Sequence, residues 1–256
     1  MIFETHAHYE DERFDEDRDE LLSSMHEHGI GTIVNVGASL DSVKKSISLA
    51  SQYDFIYAAV GVHPSDISCM DEAAYSWLQE QVKHPKVVAV GEIGLDYYWD
   101  KEESIQKQQR SWFRKQLELA EETGLPVIIH SRDAAEDTLA MIKEAYAKHI
   151  TGVIHCFSYS AQLAEEYVRM GFYIGVGGVV TFKNAKKLKE VVARIPLERI
   201  LLETDCPYMA PEPYRGKRNS SLYLPYVVQK IAEIKGVSEQ EVADITQQNA
   251  KSMYRL

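Results

Sequence analysis

The chain repeats one pattern: a short apolar run that ends in a side chain able to bind a metal ion. The clearest example is Pro126–His130, whose three central apolar residues suit a strand that is covered on both faces. Apolar runs of the same kind precede Glu92, His155 and Asp205. Parallel strands that each place one such residue at their carboxyl end would explain all four cases together. This recurrence constrains the fold more than any single motif does.

Predicted strands and helices alternate along the whole sequence. Dividing the 256 residues by eight strands gives about 32 residues per unit, the length of one strand–helix unit. We therefore expect one domain over residues 1–256, a TIM-type (β/α)8 barrel with a metal site at the C-terminal mouth of its strands. A doubly wound open sheet is the alternative, but it would spread the ligand-type residues across its width. The predicted strands are Ile2–His6, Thr32–Val36, Phe55–Val62, Val87–Gly91, Pro126–His130, Gly152–His155, Phe172–Val176 and Arg199–Glu203, and the first helix and the longest helix are predicted at Phe14–His28 and Glu103–Thr123.

Composition narrows the class of partner and the compartment. The net charge of −11 argues against broad coating of duplex nucleic acid, although it leaves room for a local cationic site. The three cysteines form no CxxC pair and their number is odd, which favours a reducing cytoplasm. No apolar run approaches the roughly 18 residues of a membrane span. We expect a cytoplasmic protein without a membrane segment, and no obligate protein partner is indicated.

The ligand-type residues predict a centre with two metal ions. Imidazole nitrogens and carboxylate oxygens without thiolate suit Zn, Mn, Fe or Ni, and Mg is also compatible. Six ligands exceed one tetrahedral site, but they fit two ions about 3.5–4 Å apart that share a carboxylate and a water. Four other histidines, His26, His28, His84 and His149, fall in or near predicted helix ends and are better explained as solvated side chains or helix caps. The six candidate ligands are His6, His8, Glu92, His130, His155 and Asp205.

Seven short motifs occur in order over essentially the whole chain. They are His6-Ala7-His8, Gly61-Val62-His63-Pro64, Gly91-Glu92-Ile93-Gly94-Leu95-Asp96, Ile129-His130-Ser131-Arg132, His155-Cys156-Phe157-Ser158, Leu202-Glu203-Thr204-Asp205-Cys206-Pro207-Tyr208 and Pro213-Tyr214-Arg215-Gly216-Lys217-Arg218-Asn219. A lone HxH motif would be weak support, whereas seven motifs at suitable intervals are specific. Together they closely resemble the TatD family of metal-dependent hydrolases, within the amidohydrolase-like barrels.

The resemblance implies a TIM-type barrel, two divalent ions and deoxyribonuclease activity, often with 3′→5′ exonuclease character. It also assigns roles to the candidate ligands. Carried over residue by residue, it places His6 and His8 on one ion, His130 and His155 on the other, Glu92 between the two, and Asp205 on the first ion as the base that acts on the nucleophilic water.

Residues near these ligands are candidates for substrate contact. His63 precedes a proline at a strand end, and Arg132 follows a ligand by two positions; we expect both to contact substrate or phosphate. Glu203 shares a strand face with Asp205, and it either orients a ligand or is simply a buried, hydrogen-bonded carboxylate. A cationic cluster in the loop after the eighth strand belongs at the same mouth, where phosphate contact is expected. This cluster consists of Arg215, Lys217 and Arg218.

The chain departs from the common family pattern at three places. Glu4 and Glu10 stand where aspartates are usual, so each flanking carboxylate is one methylene longer. Tyr159 adds bulk after the sixth strand and is expected to affect substrate access. Cys206 replaces a serine, a small change that should be tolerated.

The expected substrate is nucleic acid, and the overall negative charge favours a single-stranded DNA end fed into a pocket over a clamp on long duplex. The same two ions would also activate water against a carboxyl ester or an amide. An aminoacyl-tRNA ester is therefore the alternative substrate. A non-catalytic metal-binding or nucleic-acid-binding protein is the third class, and it is disfavoured because all six ligand positions carry competent residues.

Overall fold

Eight strands pair in parallel, in the order in which they occur along the chain. The computed structural model describes all residues from 1 to 256, and one α-helix separates each strand from the next. The end of β1 meets the segment after β8 through a parallel bridge between Ala7 and Cys206, so the sheet is a nearly closed barrel. The predicted (β/α)8 fold is confirmed. The strands are β1 (Ile2–Ala7), β2 (Ile30–Val36), β3 (Ile56–Val60), β4 (Val87–Asp96), β5 (Val127–Arg132), β6 (Gly152–Ile154), β7 (Tyr173–Val176) and β8 (Ile200–Leu202).

The helices differ from prediction mainly in the first unit. The helix predicted for Glu103–Thr123 has those bounds, whereas the prediction of one helix over Phe14–His28 is wrong, since only Arg18–Ser23 is α-helical there. Aspartate is a poor helix former, and like charges four residues apart, such as Asp15 and Asp19, repel each other. No helix of the chain has the length and apolar composition needed to cross a bilayer. The helices are α1 (Arg18–Ser23), α2 (Leu40–Gln52), α3 (Glu72–Gln81), α4 (Glu103–Thr123), α5 (Ala135–Ala147), α6 (Ala161–Arg169), α7 (Lys186–Arg194), α8 (Leu224–Lys235) and α9 (Glu239–Tyr254).

The barrel interior is packed and closed at the end opposite the predicted site. A buried cluster combines residues of β1–β6 and β8 with three residues from the end of α9. Tyr254 of α9 stacks on Phe3, with ring centroids 5.8 Å apart, and its hydroxyl donates to the carbonyl of Thr5 at 2.9 Å. Because Phe3 lies near the start of β1, α9 covers the amino-terminal end of the barrel. The interior is therefore a core, and the opposite mouth remains for function.

Strand β4 runs five residues beyond its predicted end and carries Glu92 inside the strand. Its extension pairs with β5, so that Gly94 lies opposite His130 and Asp96 lies opposite Arg132. Gly94 has a φ of +147°, and a Cβ there would lie 1.9 Å from the carbonyl oxygen of His130. Only glycine permits that approach. The close contact of the two strands brings their polar side chains to one place.

Candidate metal centre

The Glu92 carboxylate lies between two groups of histidines at the barrel mouth. Its Oε1 is 2.9 Å from Nδ1 of His130 and 4.0 Å from Nε2 of His155. Its Oε2 is 3.3 Å from Nε2 of His6 and 3.9 Å from Nε2 of His8. Burial alone would raise the pKa of Glu92, but hydrogen bonds from His130 and His6 hold it well below its usual range. One carboxylate thus presents one oxygen to each pair of histidines.

Asp205 lies beside His6, in β1, and His8, which directly follows β1. Its Oδ1 is 3.4 Å from Nε2 of His8, 3.8 Å from Nε2 of His155 and 3.9 Å from Nε2 of His6. Its backbone N–H donates to the carbonyl of His6 at 3.0 Å, which ties the segment after β8 to β1. Burial acts to raise the pKa of Asp205, but the hydrogen bond with His8 keeps it below its usual value. The closure of the barrel therefore sets the position of this carboxylate.

The donor atoms fit divalent cations. Nε2 of His6 lies 3.1 Å from Nε2 of His8, so two ring nitrogens converge where at most one proton can be shared. Nδ1 of His6 is buried and has no hydrogen-bond partner, which leaves Nε2 as the only nitrogen of that ring with polar neighbours. Every ion pair of Glu92 and Asp205 is with a histidine, never with lysine or arginine. Buried carboxylates facing imidazoles suit a bound cation.

His63 lies within 4 Å of Glu92, one of the proposed metal ligands. Its Nε2 is 3.8 Å from Oε1 of Glu92, and its ring meets that of His130 edge-on, with centroids 4.3 Å apart. His63, Glu92 and His130 form a group whose ligand-type atoms lie within 4.8 Å of one another, as do His6, His8 and Asp205. Burial lowers the pKa of His63 to about 4, and the neighbouring His130 adds to that effect.

Glu203 holds the ring of His155. Its Oε2 is 3.0 Å from Nδ1 of His155, and its Oε1 accepts the backbone N–H of Cys156 at 2.7 Å. Burial alone would lower the pKa of His155, but the Glu203 carboxylate raises it to about 9. A Cβ on Gly175 would lie 2.3 Å from Oε2 of Glu203, so β7 needs a glycine beside this carboxylate. Of the two interpretations that the sequence left open, this geometry supports the orienting contact.

Asp96 contacts the ring of His130 as Glu203 contacts the ring of His155. Asp96 was not among the predicted site residues. Its Oδ2 is 3.0 Å from Nε2 of His130, on the side of the ring away from Glu92. Its Oδ1 accepts the backbone N–H groups of Tyr98 and Trp99 at 3.0 and 3.2 Å. Asp96 lies four residues after Glu92, so the two would share a face of any strand that continued. That spacing is the sequence signal that would place Asp96 beside His130. A strand that ends at Gly91, as predicted, leaves Asp96 in a loop and hides the signal.

The two longer carboxylates each bind polar groups near the centre. Oε1 of Glu4 accepts the backbone N–H groups of His6 at 3.1 Å and Thr204 at 2.9 Å, so Glu4 links β1 to the segment after β8. Burial of the Glu4 carboxyl group raises its pKa to about 7, although the hydrogen bonds that it accepts oppose this rise. Glu10 accepts from the Asn35 amide at 2.7 Å, and its Oε1 lies 3.5 Å from Nδ1 of His8.

A cavity of about 900 Å³ opens above these residues. Arg132 and His63, the two residues near the ligands that were predicted to contact substrate, line this cavity. The exposed Trp99 lines it as well. The Arg132 guanidinium lies 3.9 Å from the ring centre of Tyr98 and 5.5 Å from that of Trp99. The lining of the cavity therefore combines a cation beside an aromatic ring with the carboxylates and histidines of the candidate metal centre.

The predicted cationic loop does not line this cavity. Arg218 is held by Asp17, at 2.5 and 2.7 Å, and by the carbonyl of Arg13 at 2.7 Å. Arg215 lies over the ring of Phe182, 4.3 Å from its centre. Lys217 is exposed. The same loop does reach the cavity, but through Tyr208 and Met209, which come earlier in it.

Tyr159 does not line the cavity either. Its hydroxyl lies 2.9 Å from Oγ of Ser131 and accepts the backbone N–H of Ala134 at 3.2 Å. It packs edge-on against Phe157, with ring centroids 5.8 Å apart. Its contacts therefore fix the turn that follows His130, and its ring is not part of the cavity lining.

Comparison with known proteins assigns the family. Residues 3–255 match the sequence profile described as TatD related DNase. The chain is 47% identical over 256 residues to an uncharacterized metal-dependent hydrolase, YabD, of Bacillus subtilis, with 100% of both chains covered. It is 33% identical to the 3′-5′ ssDNA/RNA exonuclease TatD of Cronobacter sakazakii, with 94% of this chain and 93% of that one covered. The crystal structure of the TatD homologue YjjV of Escherichia coli superposes with a TM-score of 0.92 at 31% identity, covering 100% of this chain and 98% of that one. With the histidines, Glu92 and Asp205 gathered at the mouth of such a barrel, the chain belongs to the TatD family of metal-dependent hydrolases.

Proposed function

We propose that this protein is a deoxyribonuclease that removes nucleotides from the 3′ end of single-stranded DNA by hydrolysing phosphodiester bonds. The observation that carries the proposal is the composition of the mouth cavity, which Arg132 and Trp99 line together with Glu92 and Asp205. A guanidinium suits a phosphate oxygen and an exposed indole suits a nucleobase. The relative from Cronobacter sakazakii is named a 3′-5′ ssDNA/RNA exonuclease, which supports the same substrate class.

Two divalent ions would be held by residues of this chain. His6, His8 and Asp205 would hold one ion and His130 and His155 the other, with Glu92 contributing an oxygen to each. Ions bound there would supply Lewis acidity to the phosphate and lower the pKa of an attacking water. Zn, Mn, Mg, Ni and Fe all suit these nitrogen and oxygen donors.

The protein's own groups account for positioning and proton transfer. Asp205 faces the cavity, with its side chain 22% exposed, and would accept the proton of the nucleophilic water. Glu203 and Asp96 keep the rings of His155 and His130 in place through their 3.0 Å contacts. Arg132 and His63 would contact the phosphate from the wall of the cavity. Arg215 and Lys217 lie outside the cavity, in the loop that follows Met209, so the proposal gives them no contact with the scissile phosphate.

The test is incubation of the metal-loaded protein with end-labelled single-stranded DNA, duplex DNA, RNA and an aminoacyl-tRNA. We expect shortening of single-stranded DNA from its 3′ end, one nucleotide at a time. Release of the amino acid with an intact nucleic acid backbone would instead identify the alternative, an ester hydrolase. If no nucleic acid is cleaved under any of the five metals, the proposal is wrong.

A further inference from the structure

A second cavity, of about 520 Å³, adjoins the metal centre at the carboxyl ends of β6, β7 and β8. It shares four wall residues with the mouth cavity, so the two adjoin on the Asp205 side of the centre. We call this second cavity the side chamber. The shared residues are Cys156, Ser158, Asp205 and Met209.

The walls of the side chamber are mostly uncharged. Phe157, Val179 and Leu188 contribute apolar surface, and glycines after β7 expose their backbone to it. At Gly178 a Cβ would lie 2.2 Å from the carbonyl oxygen of Met209, so glycine allows this segment to approach the loop after β8. The volume lies within the range of roughly 300–1,000 Å³ that is usual for small-molecule sites.

The charges around the side chamber select against a phosphate in its interior. The carboxylates of Glu203 and Asp205 form part of its wall, and both would repel an anion. Lys186 and Lys187, at the start of α7, also line the chamber, but both are exposed, so solvent screens their charge more than it screens the charge of the buried Glu203. An uncharged group with a flat apolar face and polar edges suits these walls better, and the exposed amide of Asn184 is available to such an edge.

We propose that the side chamber binds the sugar and base of the terminal nucleotide, the one that is released. This inference rests on the proposed function, because it requires a scissile phosphate at the metal centre next to Asp205. The rest of the strand would then pass over the carboxyl ends of β4 and β5, next to Arg132 and Trp99. A chamber of about 520 Å³ next to the metal centre that holds the terminal nucleoside would give a physical reason for cleavage at an end.

Filling the chamber tests the inference. Ala185 lines it and Ala193 is exposed near the other end of the same helix, so Ala185→Trp and Ala193→Trp form a matched pair. The substrates are two single-stranded oligonucleotides that differ only in carrying a base or a tetrahydrofuran abasic residue at the 3′ end. The wild type and Ala193→Trp should prefer the base-bearing end by about tenfold or more in kcat/KM. In Ala185→Trp, kcat/KM for the base-bearing substrate should fall to the value for the abasic substrate, so that the preference disappears.

A binding measurement gives a readout that does not depend on cleavage. An oligonucleotide with 2-aminopurine at its 3′ terminus and a non-hydrolysable phosphonate as its last linkage is titrated with metal-loaded protein, and the fluorescence should change with the wild type but not with Ala185→Trp. Val179→Trp, on another wall, serves as the second filled variant if the first does not fold. Cleavage of DNA by the wild type without any base preference, or a preference that survives both filled variants, overturns the inference. Absence of cleavage of any nucleic acid overturns the proposed function, and the inference with it.

Discussion

Asp96 and His130 meet through the ring nitrogen that faces away from Glu92. Nε2 of His130 lies 3.0 Å from Oδ2 of Asp96, while Nδ1 lies 2.9 Å from Oε1 of Glu92. The other oxygen of Asp96 accepts the backbone N–H of Trp99 at 3.2 Å. One carboxylate therefore fixes both the orientation of a proposed metal ligand and the loop that carries an exposed indole.

We expect Asp96→Asn to weaken the binding of one metal ion by about 10- to 100-fold, because loss of a carboxylate that orients a ligand histidine has effects of that size. The measurement is calorimetric titration of the metal-free protein. Asp100→Asn is the control, since Asp100 accepts a hydrogen bond from Gln109 and is not a partner of His130. Equal metal affinity in wild type and Asp96→Asn would show that this contact is incidental.

Glu92→Ala should remove at least one ion from the purified protein. Glu92 presents a different oxygen to each histidine pair, so its loss leaves both groups of ligands incomplete. Elemental analysis after dialysis gives the metal content per chain. Glu12→Ala, at an exposed carboxylate of the same cavity, should retain the wild-type content. Two ions retained in Glu92→Ala would refute the bridging role.

Asp205→Asn should lower kcat by about 10²- to 10⁴-fold, the usual contribution of a general base. Most of the metal should stay bound, because the amide oxygen and the histidines remain. Single-turnover cleavage of labelled DNA and metal analysis of the same sample separate the two effects. Asp66→Asn changes another acidic residue of the cavity wall and should leave kcat close to wild type. Full activity in Asp205→Asn would contradict the assignment of the base.

The barrel and the gathering of the ligands were predictable because they depend on short-range patterns. Apolar runs define the strands, and a parallel barrel brings the ends of all its strands to one mouth. A short-range pattern of apolar residues does not determine the conformation of a single glycine. Nothing in the pattern around Gly94 indicates that β4 continues beside β5. That continuation places Asp96 on His130, so the same omission hid both the strand extension and the orienting contact.

The cationic loop illustrates a different limit of sequence reasoning. Position after β8 correctly indicated that the loop borders the mouth, and Tyr208 and Met209 line the cavity. The direction of Arg218 depends on Asp17, a residue 201 positions away, which holds the guanidinium with two oxygens. Long-range pairing of this kind is fixed only by the folded chain. For the same reason the side chamber, which β6, β7, β8 and α7 build together, had no signature in any single motif.

Arg132 and Arg218 should therefore differ in their effect on the salt dependence of DNA binding. Arg132→Ala is expected to reduce the slope of log affinity against log salt concentration by about 0.7, the value for one phosphate contact with a single strand. Arg218→Ala should leave the slope unchanged, because that guanidinium is bound to Asp17. Fluorescence anisotropy of a labelled oligonucleotide in EDTA, across a salt series, measures both. An equal loss of slope in the two variants would show that Arg218 leaves Asp17 to bind DNA.

Trp99→Ala should raise KM for single-stranded oligonucleotides by roughly 5- to 150-fold, the range expected for loss of one stacked base, with kcat nearly unchanged. Trp99 is 67% exposed, lines the mouth cavity and lies beside the Arg132 guanidinium, so its ring is free to receive a base. Trp99→Phe should recover much of the loss because it restores an aromatic face. Tyr146→Ala removes an exposed aromatic ring from α5, outside the cavity, and should leave KM at the wild-type value. Because neither ring is buried, all three variants should unfold within about 0.5 kcal/mol of wild type in urea. A KM for Trp99→Ala that matches the Tyr146→Ala control would mean that the indole does not contact the strand.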